Sequence, residues 1–267
     1  MQIDEGQGAR FPEMASAGRI AGPVGGDVVS GGPCWIILDV EGTLVPTDYV
    51  HSILFDYART GLRDWIVRNA DTPVGRDALA EVRRMAGLAA SAGPDELLPV
   101  LLAWIDQDRK EPALKAVQGH LWQEAYARGE LRTPLFPDVP PALRRWRAAG
   151  HRLAVFSSGS IAAQRAVFSR TDVGDLRDLF TAHFDPHTVG SKREAGAYRA
   201  IRDTLTPVGN TGDPPVFLSD VPLELDAAAV VGWRTLGVAR AGEPYGAADF
   251  GAHQVVPSFD RTVQASR

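Results

Sequence analysis

The stretch Cys34-Trp35-Ile36-Ile37-Leu38-Asp39-Val40-Glu41-Gly42-Thr43 decides the fold, because an uninterrupted apolar run stops there at two carboxylates. We predict a buried strand over Trp35–Leu38, with Asp39 and Glu41 at its carboxyl end, where open α/β sheets bind their ligands. Two carboxylates at this spacing can divide the work of a nucleophile and an acid/base catalyst. Taken alone, an acid after a hydrophobic strand is more often a helix cap or a turn residue.

A second apolar run ends in the same way, at Leu218-Ser219-Asp220. Two aspartates at the ends of two strands make a catalytic site more plausible than either does alone. Carboxylate oxygens suit a hard divalent cation, so Asp39 and Asp220 together predict a metal site.

The spacing of apolar residues predicts an α/β protein with a helical insertion. Residues 49–136 repeat apolar side chains at helical spacing, and the proline-rich stretch Thr133–Pro137 ends that block before a helix that begins near Asp138. From residue 152 onward strands and helices alternate. The predicted strands are Arg152–Phe156, Ala182–Phe184, Val216–Ser219 and Thr235–Ala239, and the predicted helices begin at Ser160 and cover Arg193–Leu205 and Leu223–Val231. The first strand belongs with this later set, so the helical block lies between two strands of one sheet.

These patterns divide the chain into a core, a cap and two tails. We predict an α/β core over 34–48 and 137–262, a helical cap over 49–136 and a short C-terminal tail over 263–267. Residues 1–33 are rich in glycine and polar residues without periodicity, which is typical of a flexible tail.

Composition narrows the classes of partner and compartment. The formal net charge is -5 and no dense Lys/Arg cluster occurs, which argues against a nucleic-acid partner and favours a small-molecule substrate. No apolar run approaches the roughly 20 residues of a membrane helix, and the N-terminus lacks the features of a signal peptide. The single cysteine, Cys34, lies in an apolar run, so we predict an inert buried thiol. We therefore expect a cytoplasmic protein, monomeric and without membrane contact.

Four motifs follow one another in an order that resembles the haloacid-dehalogenase superfamily. They are Asp39-Val40-Glu41-Gly42-Thr43, Phe156-Ser157-Ser158-Gly159-Ser160, Lys192, and Ser219-Asp220 with Glu224. The resemblance runs from residue 34 to about residue 260. It implies a doubly wound parallel sheet core with an inserted α-helical cap.

Within that superfamily the chain looks like the enolase-phosphatase of methionine salvage, also called acireductone synthase. Most superfamily phosphatases have a second Asp where this chain has Glu41, and further segments resemble the narrower family. They include Val50-His51, Gln118-Gly119-His120-Leu121-Trp122, Phe184-Asp185, Lys192-Arg193-Glu194 and Glu224-Leu225-Asp226. The chain departs from the family pattern at Thr43-Leu44-Val45-Pro46 and at Asp56. The resemblance implies conversion of 2,3-diketo-5-methylthiopentyl-1-phosphate through an enol to the acireductone.

The resemblance also assigns roles to the catalytic residues. Asp39 would attack phosphorus, Glu41 would act as acid and base, and Lys192 would neutralise the phosphoryl charge and keep Asp39 ionised. Mg²⁺ would bind to Asp39, Asp220 and position 41, in the last case through the backbone carbonyl if the side chain is the acid/base.

Other residues have an alternative structural interpretation. Ser157 and Ser158 can offer hydroxyl and backbone donors to phosphate beside a helix N-terminus, although Ser-Ser-Gly-Ser alone is often a helix cap. Glu224 fits a supporting position behind the ligands or a solvated helix face. We interpret His120 as a packing residue or a polar residue of the cap site. We interpret Trp122 as a core residue in preference to a platform for the substrate.

Two rival functions remain open on the sequence. The first is a related phosphatase that acts on another small phosphorylated metabolite, which the departures after Thr43 suggest. The second is a catalytically inactive binding module, which predicts damage to the four motifs. All four motif positions are intact.

Overall fold

The computed structural model describes residues 32–107, 109, 111–206 and 213–260. The predicted N-terminal tail lies outside these residues except for its last two positions, and so do the predicted end of the core at 262 and the C-terminal tail. No helix in this described part of the chain combines the length and the apolar character that crossing a membrane requires.

Six parallel strands form one sheet, with helices on both faces. The strands are β1 (Trp35–Leu38), β2 (Arg152–Phe156), β3 (Phe180–Phe184), β4 (Val216–Ser219), β5 (Arg234–Val238) and β6 (Gln254–Val256). Their spatial order is β3-β2-β1-β4-β5-β6. The chain therefore leaves β1 for β2 on one side and later returns to β4 on the other, which places a ligand-binding crevice at the carboxyl end of β1.

Nine α-helices are described. They are α1 (Phe55–Asn69), α2 (Pro73–Ala86), α3 (Pro94–Asp106), α4 (Pro112–Arg128), α5 (Val139–Ala148), α6 (Ile161–Ser169), α7 (Pro186–Val189), α8 (Ala195–Leu205) and α9 (Pro222–Val230). A π-helical turn over Tyr49–Leu54 leads into α1, and a short 3₁₀ turn precedes β3. The doubly wound α/β fold with a helical insertion between β1 and β2 is confirmed.

The alternation of side chains along β1 explains how both faces are covered. Ile36 and Leu38 point into a cluster that continues through α5 and α6 into α1–α4, whereas Trp35 and Ile37 join a second cluster with α8 and α9. Every residue of β1 is buried, as expected for a central strand of a parallel sheet. The first cluster extends from the sheet into the inserted helices, so sheet and insertion share one continuous apolar core.

One buried arginine holds the two segments that connect the inserted helices to the core. Arg240 binds both carboxylate oxygens of Asp138 at 2.9 and 3.0 Å and donates from Nε to the Thr43 carbonyl at 2.8 Å. Its guanidinium also lies 4.0 Å from the ring centre of Phe136. Thr43 lies just before the inserted segment and Phe136 at its end, so Arg240 joins the start and the end of the insertion. The domain boundaries at 48/49 and 136/137 stay predictions.

Most element bounds match the prediction within two residues, with one strand missed. β3 begins two residues before the predicted Ala182, and α8 begins at Ala195, which leaves Lys192 in the preceding turn. The missed strand is β6, which has only three residues, all exposed or half-buried. It lacks the apolar run by which the other strands are recognised.

Candidate active site

Three strand ends meet where the topology predicts the crevice. Leu38 of β1 pairs with Val155 of β2 and with Leu218 of β4. Asp39, Ser157 and Asp220 therefore leave neighbouring strands at one edge of the sheet, and the Asp39 N–H donates to the Leu218 carbonyl at 2.9 Å. All three side chains are buried.

Lys192 lies between two buried carboxylates. Its Nζ is 2.6 Å from Asp39 Oδ1 and 2.7 Å from Glu224 Oε2. The Ser219 hydroxyl lies 2.9 Å from Glu224 and 3.3 Å from Asp39, so the same two acids are also joined from the end of β4. Burial lowers the pKa of Lys192, but the charges of Asp39 and Glu224 outweigh it and hold that pKa above its ordinary value. Lys192 is therefore a fixed positive charge beside Asp39.

Glu224 occupies the supporting position that the sequence left open. Its carboxylate is buried and bound to Lys192 and Ser219, so it is not on a solvated helix face. Burial and the charge of Asp39 raise the pKa of Glu224. Glu224 orients Lys192 by binding the same Nζ that contacts Asp39.

Asp220 packs against the turn that follows Asp39. Its N–H donates to the Thr43 hydroxyl at 3.0 Å, and that hydroxyl lies 3.3 Å from Asp220 Oδ1. A Cβ on Gly42 would lie 2.3 Å from Asp220 Oδ2, and Gly42 has a φ of +71°. Only glycine allows both the turn and the close approach of the carboxylate.

The donor set suits a hard divalent cation that completes its coordination with non-protein oxygens. Burial and the negative charge of the neighbouring Asp39 raise the pKa of Asp220 to about 8, so a second negative charge is unfavourable at this position. No group of three His, Cys, Asp or Glu side chains arranged to hold a metal occurs among the residues that the structure describes. A cation at Asp39 and Asp220 would thus need backbone, phosphate or water oxygens, as Mg²⁺ commonly does.

The loop after β2 is shaped by one buried glutamine. Ser160 caps α6 by accepting from the Ala163 N–H at 3.2 Å. The Gln164 amide nitrogen donates to the carbonyls of Gly159 at 2.9 Å, Phe184 at 2.8 Å and, more weakly, Ser157 at 3.4 Å. Gln164 therefore holds the loop that contains Ser157 and Ser158 against the end of β3.

A cavity of about 320 Å³ lies between the inserted helices and the core. Glu41, Ser157 and Ser158 line it from the core, whereas Asp39, Lys192 and Asp220 belong to the adjoining buried cluster. Its opposite wall is mostly apolar. The residues of that wall include Val50, Leu54, Phe55, Ile105, Leu114 and Trp122, with His51, Arg109, Lys115 and Gln118 as polar members.

Two side chains from the inserted helices reach the core motifs. His51 Nε2 lies 2.8 Å from Glu41 Oε1, and Lys115 Nζ donates to the Ser158 carbonyl at 3.3 Å. The sequence did not predict a role for His51 or Lys115. Each contact joins the insertion to the core across the cavity, and the local sequence pattern does not indicate such contacts.

The remaining predicted side chains pack in the protein interior. The His120 ring is parallel to Trp65 with centroids 6.3 Å apart, in agreement with packing. Trp122 donates to the Leu54 carbonyl at 2.9 Å and stacks near Phe55, yet it also borders the cavity. Cys34 is fully buried beside His151, in agreement with an inert thiol.

The comparisons with known proteins agree with this geometry. A family model for haloacid dehalogenase-like hydrolases matches residues 35–232. The chain is 54% identical to enolase-phosphatase E1 of Saccharopolyspora erythraea, over 85% of this chain and 93% of that protein. It is 49% identical to enolase-phosphatase E1 of Frankia alni, over 84% and 92% of the two chains. Among solved structures, the UTR4 protein of Saccharomyces cerevisiae has a TM-score of 0.66 and 29% identity, over 84% of this chain and 97% of its own.

Proposed function

Since the chain belongs to the enolase-phosphatase E1 family of the haloacid dehalogenase-like hydrolases, we propose that Asp39 and Glu41 carry its reaction at one site. The protein is a phosphatase of methionine salvage. Its reaction converts 2,3-diketo-5-methylthiopentyl-1-phosphate through an enol phosphate into the acireductone. The observation that carries the proposal is the placement of Glu41 in the cavity, two residues from the Asp39 that Lys192 contacts.

The first step is enolisation by Glu41. Its carboxylate removes a proton from the carbon beside the ketone. Glu41 is accessible for this step, because it lines the cavity and its side chain is a third exposed. The ketone oxygen takes up a proton from solvent as the enol forms. Glu41 is then protonated and holds the proton that the leaving oxygen needs in the second step.

The second step is phosphoryl transfer to Asp39. Asp39 attacks phosphorus and the bond to the enol oxygen breaks, with the proton from Glu41. Lys192 neutralises charge on the phosphoryl group, because its Nζ lies 2.6 Å from the carboxylate that attacks phosphorus. Water, activated by Glu41, then releases phosphate and restores Asp39. Ser157 and Ser158 bind the phosphate oxygens.

We assign the divalent cation of this family to Mg²⁺, bound to Asp39, Asp220 and the backbone carbonyl of Glu41. When bound, Mg²⁺ supplies positive charge to the phosphoryl oxygens. Because the Glu41 side chain is assigned to proton transfer, the ligand at this position would be its backbone carbonyl. The monomeric state and the cytoplasmic location stay predictions.

The apolar wall of the cavity suits the methylthioethyl end of the substrate. Leu54, Phe55, Leu114 and Trp122 offer carbon surface opposite the polar loop of Ser157 and Ser158. A substrate with a phosphate at one end and a thioether at the other matches this division, because burial of apolar carbon contributes about 0.8 kcal/mol per methylene.

The test follows both steps in one experiment. Rapid-quench measurements of the diketone phosphate give the enol phosphate and free phosphate separately, with Glu41→Gln beside wild type. We expect Glu41→Gln to slow both steps together. An enol phosphate that accumulates would restrict Glu41 to the leaving group, and wild-type rates in both steps would remove it from the reaction.

A substrate screen tests the rival phosphatase. The diketone phosphate should exceed simple sugar phosphates in kcat/KM by at least about tenfold, the factor that 1.4 kcal/mol of pocket contact provides. Equal values would favour a general phosphatase.

A further inference from the structure

The hydrogen bond between His51 and Glu41 joins the inserted helices to the proposed acid/base. His51 Nε2 and Glu41 Oε1 are 2.8 Å apart, although one residue belongs to the π-helical turn and the other to the loop after β1. An ionised carboxylate can only accept a hydrogen bond, so Nε2–H is the donor while Glu41 is a base.

The turn that presents His51 is held on several sides. The His51 ring meets Phe55 edge to face at 5.3 Å, and the Tyr49 hydroxyl lies 2.7 Å from the Tyr126 hydroxyl of α4. The Ser52 hydroxyl donates to Asp48 at 2.7 Å. π-Helical turns are rare and occur frequently at functional sites. The His51 side chain is half exposed, and the contact with Phe55 and the held turn direct its Nε2 towards Glu41.

We propose that His51 is a positioning residue, which holds the Glu41 carboxylate towards the cavity for proton transfer. This inference rests on the proposed role of Glu41. His51 acts through Glu41, and the inserted helices thereby supply part of the acid/base apparatus that the core alone lacks. Loss of such an orienting contact typically costs ten- to hundredfold in activity.

Two substitutions separate orientation from the chemistry of the imidazole ring. His51→Gln keeps a nitrogen donor at similar reach and should retain enol formation within about threefold of wild type. His51→Leu keeps apolar contact with Phe55 but removes the donor, and should slow enol formation by about ten- to hundredfold. Ile53→Ala is the matched control, since Ile53 is on the same turn and is half exposed to solvent.

A double-mutant cycle tests whether His51 acts through Glu41. Glu41→Asp keeps the charge but withdraws the carboxylate by one methylene, which breaks the contact with His51 while leaving measurable turnover. In this background His51→Leu should change the enolisation rate by less than about threefold. The KM for the diketone phosphate should change little, because His51 holds the base and not the substrate.

Three results would overturn the inference. Wild-type enolisation in His51→Leu would show that the contact is dispensable, and equal losses in His51→Gln and His51→Leu would show that the ring itself is required. Multiplicative losses in the cycle would show that His51 acts independently of Glu41. Failure of the proposed function looks different, because Glu41→Gln itself would then enolise at the wild-type rate.

Discussion

Replacing Gly42 by alanine should damage the active site more than the fold. The backbone at Gly42 has a φ of +71°, and the added Cβ would lie 2.3 Å from Asp220 Oδ2. A left-handed conformation costs a non-glycine residue about 1–2 kcal/mol. Asp220 must also move by about 1 Å to restore van der Waals contact, a displacement that can reduce activity about a hundredfold.

Gly87→Ala separates the two effects. Gly87 ends α2 with a φ of +67°, and apart from its two chain neighbours no other residue has an atom within 4 Å of the position its Cβ would take. Both variants should therefore lose about 1–2 kcal/mol in the free energy of unfolding, measured by urea denaturation. Only Gly42→Ala should also lose about a hundredfold in kcat/KM and need more Mg²⁺ for half-maximal activity.

The reasoning fails in either of two ways. Gly42→Ala with kcat/KM within threefold of wild type would show that Asp220 tolerates displacement or does not act at the site. An equal loss of activity in Gly87→Ala would show that lowered stability, and not the contact with Asp220, explains the defect.

Three further substitutions test the site. Asp39→Asn should lower phosphate release by at least about a thousandfold, or roughly 4 kcal/mol, with an unchanged circular dichroism spectrum; greater residual activity would argue against a covalent role. Gln164→Leu removes the amide that binds the loop carbonyls, and should lower kcat/KM about tenfold or more without changing the Mg²⁺ dependence. Asp220→Asn should make the metal-free protein more stable by about 1–3 kcal/mol. Because the pKa of Asp220 is raised to about 8, metal-free wild type loses stability as the pH rises from about 4 to 8, so this difference should widen between pH 5 and 8 in urea titrations.

The fold could be predicted from the sequence because its central strands are continuous apolar runs that end in polar residues. Parallel strands that are buried on both faces have this pattern, and the topology then brings their carboxyl ends together. The structure accordingly places Asp39, Ser157 and Asp220 at one edge. β6 was missed because Gln254–Val256 is short and partly exposed.

The contacts between side chains could not be predicted in the same way. Glu224 lies in the first turn of α9, where the sequence is equally consistent with a surface acid. Its burial depends on where Lys192 packs. The His51–Glu41 pair depends on how the inserted helices are oriented on the core, which Arg240 and the apolar core determine together. The Glu224–Lys192 and His51–Glu41 contacts both depend on long-range packing, which the local periodicity of the sequence does not encode.

The balance of charge at the site connects its stability to its function. Three buried carboxylates, Asp39, Asp220 and Glu224, face the single ammonium group of Lys192. Lys192 contacts Asp39 and Glu224, and burial together with the negative charge of Asp39 raises the pKa of Asp220 to about 8. A divalent cation bound to Asp39 and Asp220, as proposed above, would remove that repulsion and compete with the proton on Asp220. The excess of buried negative charge therefore lowers the stability of the metal-free protein. The same excess would favour binding of a cation together with a phosphate ester.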